Sequence, residues 1–144
     1  MALVEDGIPC VALDRKREFL RPLAQWANAQ QHPLQCVQTN LETPYGLPLQ
    51  PGVFSTVLVF RFLYRPLASA LIEALAPGGH LIYETFTKAQ AECSSGPKSD
   101  EFLLADNELP ALFKELTLLE HEEGLLEDTK SPSHLSRMVA VKQG

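Results

Sequence analysis

The feature that most constrains this chain is a strand–helix–strand passage near its middle. Val53 to Phe60 is a strong strand signal, and its Val57-Leu58-Val59-Phe60 is a continuous apolar run, as expected of a strand covered on both faces. Pro66 then opens a helix whose Leu67, Ala70, Leu71, Ala74 and Leu75 make one apolar stripe. Pro77-Gly78-Gly79 ends it, and His80 to Thr85 reads as the next strand. Strands that alternate with helices build a layered α/β domain with a mostly parallel sheet and helices on both faces.

The alternation extends to both sides. Ile8 to Leu13 is a strand stopped by Asp14, and Phe19, Leu20, Leu23, Trp26 and Ala27 follow at helical spacing. Pro22 either kinks that helix or lies in its first turn. Leu34 to Gln38 is a second strand, and a loop with Pro44, Gly46, Pro48, Pro51 and Gly52 follows it. Beyond the centre, the polar stretch Lys88 to Asp100 reads as a mobile loop. Asn107 can cap a further helix, with Pro110 at its third position. Leu116 to Leu119 and Arg137 to Val141 read as an antiparallel closing pair. With 144 residues, no linker and no internal repeat, residues 1–144 are expected to form a single domain.

Composition excludes several function classes. A net charge of −6 speaks against binding nucleic-acid phosphates, which takes a basic face. No apolar run approaches the roughly 18 residues that span a bilayer, and Met1 to Asp6 do not form a secretory signal. Cys10, Cys36 and Cys93 are odd in number and widely spaced, which fits neither a disulfide framework nor a metal knuckle. His121-Glu122-Glu123 lacks a second histidine at ligand spacing, so no metal site is expected. The expected compartment is the cytoplasm.

In a parallel sheet, ligands sit at the carboxyl ends of the strands. Asp14 ends the first strand; its carboxylate can accept two ribose hydroxyls or cap a helix, and position alone leaves both readings open. Asn40 can meet an adenine edge or simply be a turn residue. Arg61-Phe62-Leu63-Tyr64-Arg65 follows the most apolar strand, and its arginines can clamp an anion bidentately or pair with neighbouring acids. Tyr83 and Glu84 end the adjacent strand and are expected to face the same crevice. Glu84 is a candidate general base or a partner of Arg61 or Arg65. The Pro77-Gly78-Gly79 turn leads from helix into strand, the wrong direction for a phosphate cradle, and suits a left-handed helix cap.

At these residues the chain resembles a family. Leu75-Ala76-Pro77-Gly78-Gly79-His80-Leu81-Ile82 is similar to the signature of class I S-adenosylmethionine-dependent methyltransferases. Val57 to Leu67, Tyr83-Glu84-Thr85-Phe86 and Glu101-Phe102-Leu103-Leu104 resemble a tellurite-resistance-type subgroup, and the likeness runs from about Val4 to Val141. The resemblance implies a Rossmann-like methyltransferase fold. It implies S-adenosylmethionine as cofactor, with Asp14 on the ribose, Asn40 and Leu41 on the adenine, and Phe60 to Arg65 flanking the methyl group and substrate. Arg61, Tyr64, Arg65, Tyr83 and Glu84 are the substrate-side candidates. No catalytic residue is common to the family, and the implied acceptor is a small molecule.

The departure from the family lies at the start. Its members open with a strand and a glycine-rich loop that wraps the methionine part of the cofactor, whereas Gly7 is the sole glycine before Asp14. The expectation is a first strand and loop that are missing, with weak or no activity. In the family that strand separates the strands ending at Asp14 and Phe60, and each buried group left unpaired costs about 1–3 kcal/mol. Direct pairing of the two strands, a strand-donating partner or homo-oligomer, or a truncated gene product would each answer that cost, and truncation is the expectation. The competing reading is a non-catalytic binding or partner module. A nicotinamide oxidoreductase needs the same loop and lacks a Tyr-x-x-x-Lys pair.

Overall fold

The computed structural model describes residues 2–126 and 132–144. The chain forms two compact units, Met1–Tyr45 and Gly46–Gly144.

In the first unit a short helix α1 (Ala2–Glu5) precedes strand β1 (Cys10–Asp14), helix α2 (Arg17–Ala29) and strand β2 (Leu34–Gln38). β1 and β2 pair in parallel from Cys10 opposite Leu34 to Asp14 opposite Gln38. The helix is the crossover that parallel neighbours require. Leu20 and Ala27 of α2 are buried, while Phe19 is 59% exposed and lies off the apolar face. The Lys16 ammonium sits 5.3 Å from its ring centroid and gives the ring a cationic neighbour. Pro22 falls inside α2 and leaves the carbonyl of Glu18, one turn earlier, without its helical partner.

The second unit contains β3 (Phe54–Phe60), a 3-10 turn (Arg65–Leu67) running into α3 (Ala68–Ala74), β4 (Leu75–Phe86), α4 (Glu108–Leu112), β5 (Thr117–Leu126) and β6 (Ser133–Val141). The sheet order is β3-β4-β6-β5; β3 and β4 are parallel, and β6 is antiparallel to both its neighbours. The core lies on one face of this sheet. Leu81, Tyr83 and Thr85 of β4, with Ser136, Met138 and Ala140 of β6, are buried there, as are Leu67 and Leu71 before and within α3 and Leu109 and Phe113 around α4. Burying each leucine, methionine or phenylalanine among them contributes about 1.5–3 kcal/mol.

Four expectations need correction. β3 is not covered on both faces: among the described residues it is bonded to β4 alone, and Leu58 and Phe60 are 43% and 54% exposed. A continuous apolar run does not tell an edge strand from a central one. The left-handed residue of the Pro77 turn, Gly78 at φ 80°, does not cap α3, because the helix ends at Ala74 and Leu75 is already extended. Instead Lys142 Nζ donates to the carbonyls of Ile72 and Leu75 at 3.0 and 2.9 Å, placing a cation at the negative end of the helix. Asn107 sits before α4 in the left-handed region, φ 58°, and makes no side-chain cap; its N–H donates to Glu123 Oε2. The stretch from Lys88 to Asp100 is not free: Gln90, 1% exposed, accepts from His134 N and donates to Ser95 O, and Lys98 Nζ donates to the carbonyls of Ala91 and Cys93.

Candidate functional site

Each unit carries residues singled out from sequence at the carboxyl ends of its parallel strands. In the first unit Asp14 closes β1 beside Gln38 of β2, and Thr39 N donates to the Asp14 carbonyl at 2.9 Å. Asp14 and the Asn40-Leu41 pair therefore share one strand-end edge. Asp14 Oδ1 accepts from Lys16 N at 2.8 Å, and Asn40 Oδ1 accepts from Glu42 N at 3.0 Å. These Asx turns fix both side chains. They leave the second Asp14 oxygen and the Asn40 amide donors available to a ligand.

In the second unit, β3 ends at Phe60 opposite Glu84, two residues before the end of β4. Arg61 follows at φ 56°, a left-handed backbone uncommon outside glycine. Its N–H donates to the Glu84 carbonyl at 2.9 Å. Its guanidinium lies 4.7 Å from the Phe86 ring centroid and 3.4 Å from Glu84 Oε1. Glu84 is buried, its side chain 7% exposed, and its other oxygen accepts from Arg137 Nε at 2.8 Å. Arg137 in turn reaches Glu122 at 3.4 Å. Strand register brings this about: Glu84, Arg137 and Glu122 lie opposite one another on β4, β6 and β5. The result is a row of alternating charge across one sheet face, ending in Arg61 at the strand ends. A buried carboxylate is tolerable only when paired in this way.

Tyr83 and Arg65 belong to the scaffold. Tyr83 neighbours Glu84 on the strand, so it points to the opposite face. It is 2% exposed, packs against Phe113 with centroids 5.6 Å apart, and donates its hydroxyl to the Phe62 carbonyl at 2.7 Å. Burial pushes its phenol well above the ordinary range, against a smaller lowering by Arg65. The shared crevice expected for Tyr83 and Glu84 therefore does not form; strand alternation separates them. Arg65 makes four hydrogen bonds: Nε to Glu108 Oε2 at 2.5 Å, Nη2 to Glu108 Oε1 and the Leu103 carbonyl at 2.9 Å each, and Nη1 to the Glu101 carbonyl at 3.2 Å. It staples the 101–108 segment to the end of β3. Tyr64 is half-buried just before the 3-10 turn.

The Arg65–Glu108 pair gives a pH prediction. The hydrogen bond from Arg65 holds the Glu108 carboxyl below its usual range, burial opposing and the Ala105 N–H assisting. A carboxylate whose pKa is lowered by folding adds stability at neutral pH that is lost as pH falls through that lowered value. Arg65→Gln is expected to cost about 1–2 kcal/mol at pH 7, discounted for partial exposure. Thermal unfolding of both proteins should show the gap shrinking below about pH 4. A gap independent of pH would deny the pairing any part in stability.

Arg137, Glu122, Glu108 and Phe86 are the residues that sequence reading missed. Arg137 stands directly before the apolar run Met138 to Val141 of the closing strand, a visible charged flank. Its partners depend on register across strands far apart in sequence. Among the described residues no three His, Cys, Asp or Glu side chains converge as metal ligands. Among the described residues no helix is long and apolar enough to cross a membrane.

Comparison with solved structures accounts for this arrangement of strands. TehB from Haemophilus influenzae superposes with a TM-score of 0.78 at 15% identity, covering 98% of this chain and 52% of that one. The fold is the Rossmann-like methyltransferase fold. An S-adenosylmethionine-dependent methyltransferase from Methanosarcina mazei gives a TM-score of 0.75 at 14% identity, covering 99% of this chain and 85% of that one. The N-methyltransferase NodS from Bradyrhizobium japonicum, in complex with S-adenosyl-L-homocysteine, gives 0.69 at 15% identity, covering 94% and 67%. This chain thus spans about half the length of TehB. No family model and no curated protein matches the sequence.

Proposed function

We propose that this chain is an S-adenosylmethionine-dependent methyltransferase, or the larger part of one, of the tellurite-resistance-type subgroup, acting on a small-molecule acceptor. The observation that carries the reading is the joint placement of Asp14 and Asn40-Leu41 at one strand-end edge, in a fold shared with methyltransferases. These residues fit the nucleoside half of the cofactor: one Asp14 oxygen remains for a ribose hydroxyl, and the Asn40 amide for the adenine edge. When bound, the cofactor supplies an electrophilic methyl on a sulfonium. Phe60, half-exposed at the end of β3, offers an aromatic face to a cation. Glu84 acts as counter-ion to Arg61 and Arg137 and fixes where Arg61 sits.

The test is calorimetry of this chain with S-adenosylhomocysteine and with adenosine. Adenosine should retain most of the affinity, because the groups in place read the nucleoside. Asp14→Ala should weaken both on the order of tenfold. Binding of neither ligand sinks the reading.

One observation favours the second reading, a non-catalytic partner module. Strands β1 and β3 each have a single ladder partner among the described residues, and an open edge accepts a further strand. That reading expects a homo-oligomer or a complex with a strand-donating partner. A monomer by light scattering at high concentration, with cofactor bound, would exclude it.

A further inference from the structure

The methyl-transfer reading leaves the acceptor's chemistry open, and the two arginines of the Arg61 to Arg65 segment separate it. Arg65 is consumed: its four hydrogen bonds go to Glu108 and to two main-chain carbonyls. Arg61 is not. Among the described residues its guanidinium has one ion-pair contact, to Glu84 at 3.4 Å, and one ring beneath it, Phe86. Its side chain is 32% exposed. The Glu84 charge is drawn more closely to Arg137, at 2.8 Å, so Arg61 is the less fully neutralised of the two.

Arg61 is also held in place. The main-chain bond to Glu84, the left-handed φ of 56° and the Phe86 ring together orient the fork without occupying it. Backbone strain of this kind persists where surrounding structure enforces it. Beside the fork, in register with Glu84, stands Phe60 with 54% of its surface exposed. A charged fork with a half-exposed aromatic ring one residue away is suited to a ligand with a flat apolar body and a planar anionic end.

We infer that Arg61 receives the carboxylate of an aromatic monoanion, with Phe60 against the ligand's ring. The inference deepens the methyl-transfer reading and rests on it for the ligand's being the acceptor. A planar carboxylate matches a guanidinium edge with two parallel hydrogen bonds. A phosphate dianion is disfavoured, because Glu84 lies against the same fork and the chain carries a net charge of −6.

The probe is benzoate, titrated into this chain without cofactor and followed by the arginine Nε–H resonances in a nitrogen–proton NMR spectrum. Benzamide and inorganic phosphate are the controls. The Arg61 resonance should shift saturably with benzoate while that of Arg65 stays put, and neither control should move it. Arg61→Asn removes the fork yet suits a left-handed backbone, and should weaken benzoate on the order of tenfold or more. Arg61→Lys keeps the charge without the fork and should fall between, which decides the matter if the asparagine variant loses its folded spectrum. A wild-type spectrum unmoved by benzoate, equal shifts with benzamide, or undiminished binding in both variants overturns the inference. Benzoate binding without adenosine binding would leave the anion seat and remove the methyl-transfer reading. Adenosine binding without benzoate binding would do the reverse.

Discussion

Replacing Gly79 by alanine is expected to destabilise the protein by about 3 kcal/mol, one of the larger effects open to a single methyl. Between the pairs Phe54–Leu75 and Thr56–His80, β3 advances two residues while β4 advances five, so Pro77-Gly78-Gly79 is absorbed as a bulge. Folding that excess places the Gly79 α-carbon against main chain on two sides. A β-carbon there would lie 2.8 Å from the Ala76 carbonyl oxygen and 2.9 Å from that of Phe54. Neither oxygen can swing away as a side-chain tip could. Relief requires parting β3 from β4 or opening the bulge, whose ends also bond to Lys142 through Gly78 N and Gly79 O. Denaturant unfolding of the two proteins measures the difference. Gly78 is the control: its left-handed φ of 80° strains alanine, but a β-carbon there meets nothing within 4 Å, so Gly78→Ala should cost only about 1 kcal/mol. Equal losses at the two positions would reject the close-approach account.

The second large effect is expected at Gln90. Its amide is a buried two-ended connector, taking the His134 N–H of β6 at 2.8 Å and giving a hydrogen to the Ser95 carbonyl at 2.9 Å. Gln90→Ala leaves both groups without that partner and opens a void, at a combined cost of about 2–4 kcal/mol. The local consequence should exceed the global one. With the connector gone, the segment from Lys88 to Asp100 keeps only its shorter ties, and trypsin should cut after Lys88 or Lys98 well before the rest of the chain unfolds. Cleavage at wild-type rates would show that Lys98 and the 3-10 turn suffice to hold it.

The contrast between these positions and the strand pattern shows what a single sequence discloses. Strands at Leu34 and Val57, the helix after Pro66 and the antiparallel closing pair follow from local periodicity, which does not depend on what lies elsewhere. The strand-end location of Asp14, Asn40 and Arg61 follows as well, because a parallel α/β sheet puts its loops there. Long-range register is a different kind of information. It decides that Glu84 meets Arg137 and not Arg65, that Arg65 takes Glu108, and that Tyr83 turns into the core. Coverage is equally hidden: Leu58 and Phe60 look like core residues in a run of apolar letters, and it takes the strand's neighbours to show them half-exposed. Polar letters mislead in the opposite direction. Lys88 to Asp100 has the composition of a free loop, yet one buried glutamine organises it.

The charge row from Arg61 through Glu84 and Arg137 to Glu122 carries a further consequence for how this surface can drift over generations. Each member is acceptable because of the sign beside it, so a lone reversal sets like against like at a register point, and a swap of two adjacent members only moves the clash along the row; reversal of all four restores the order. Double-mutant cycles along the row should therefore depart from additivity. Lineages descended from this sequence should therefore keep these four signs together or change them as a set.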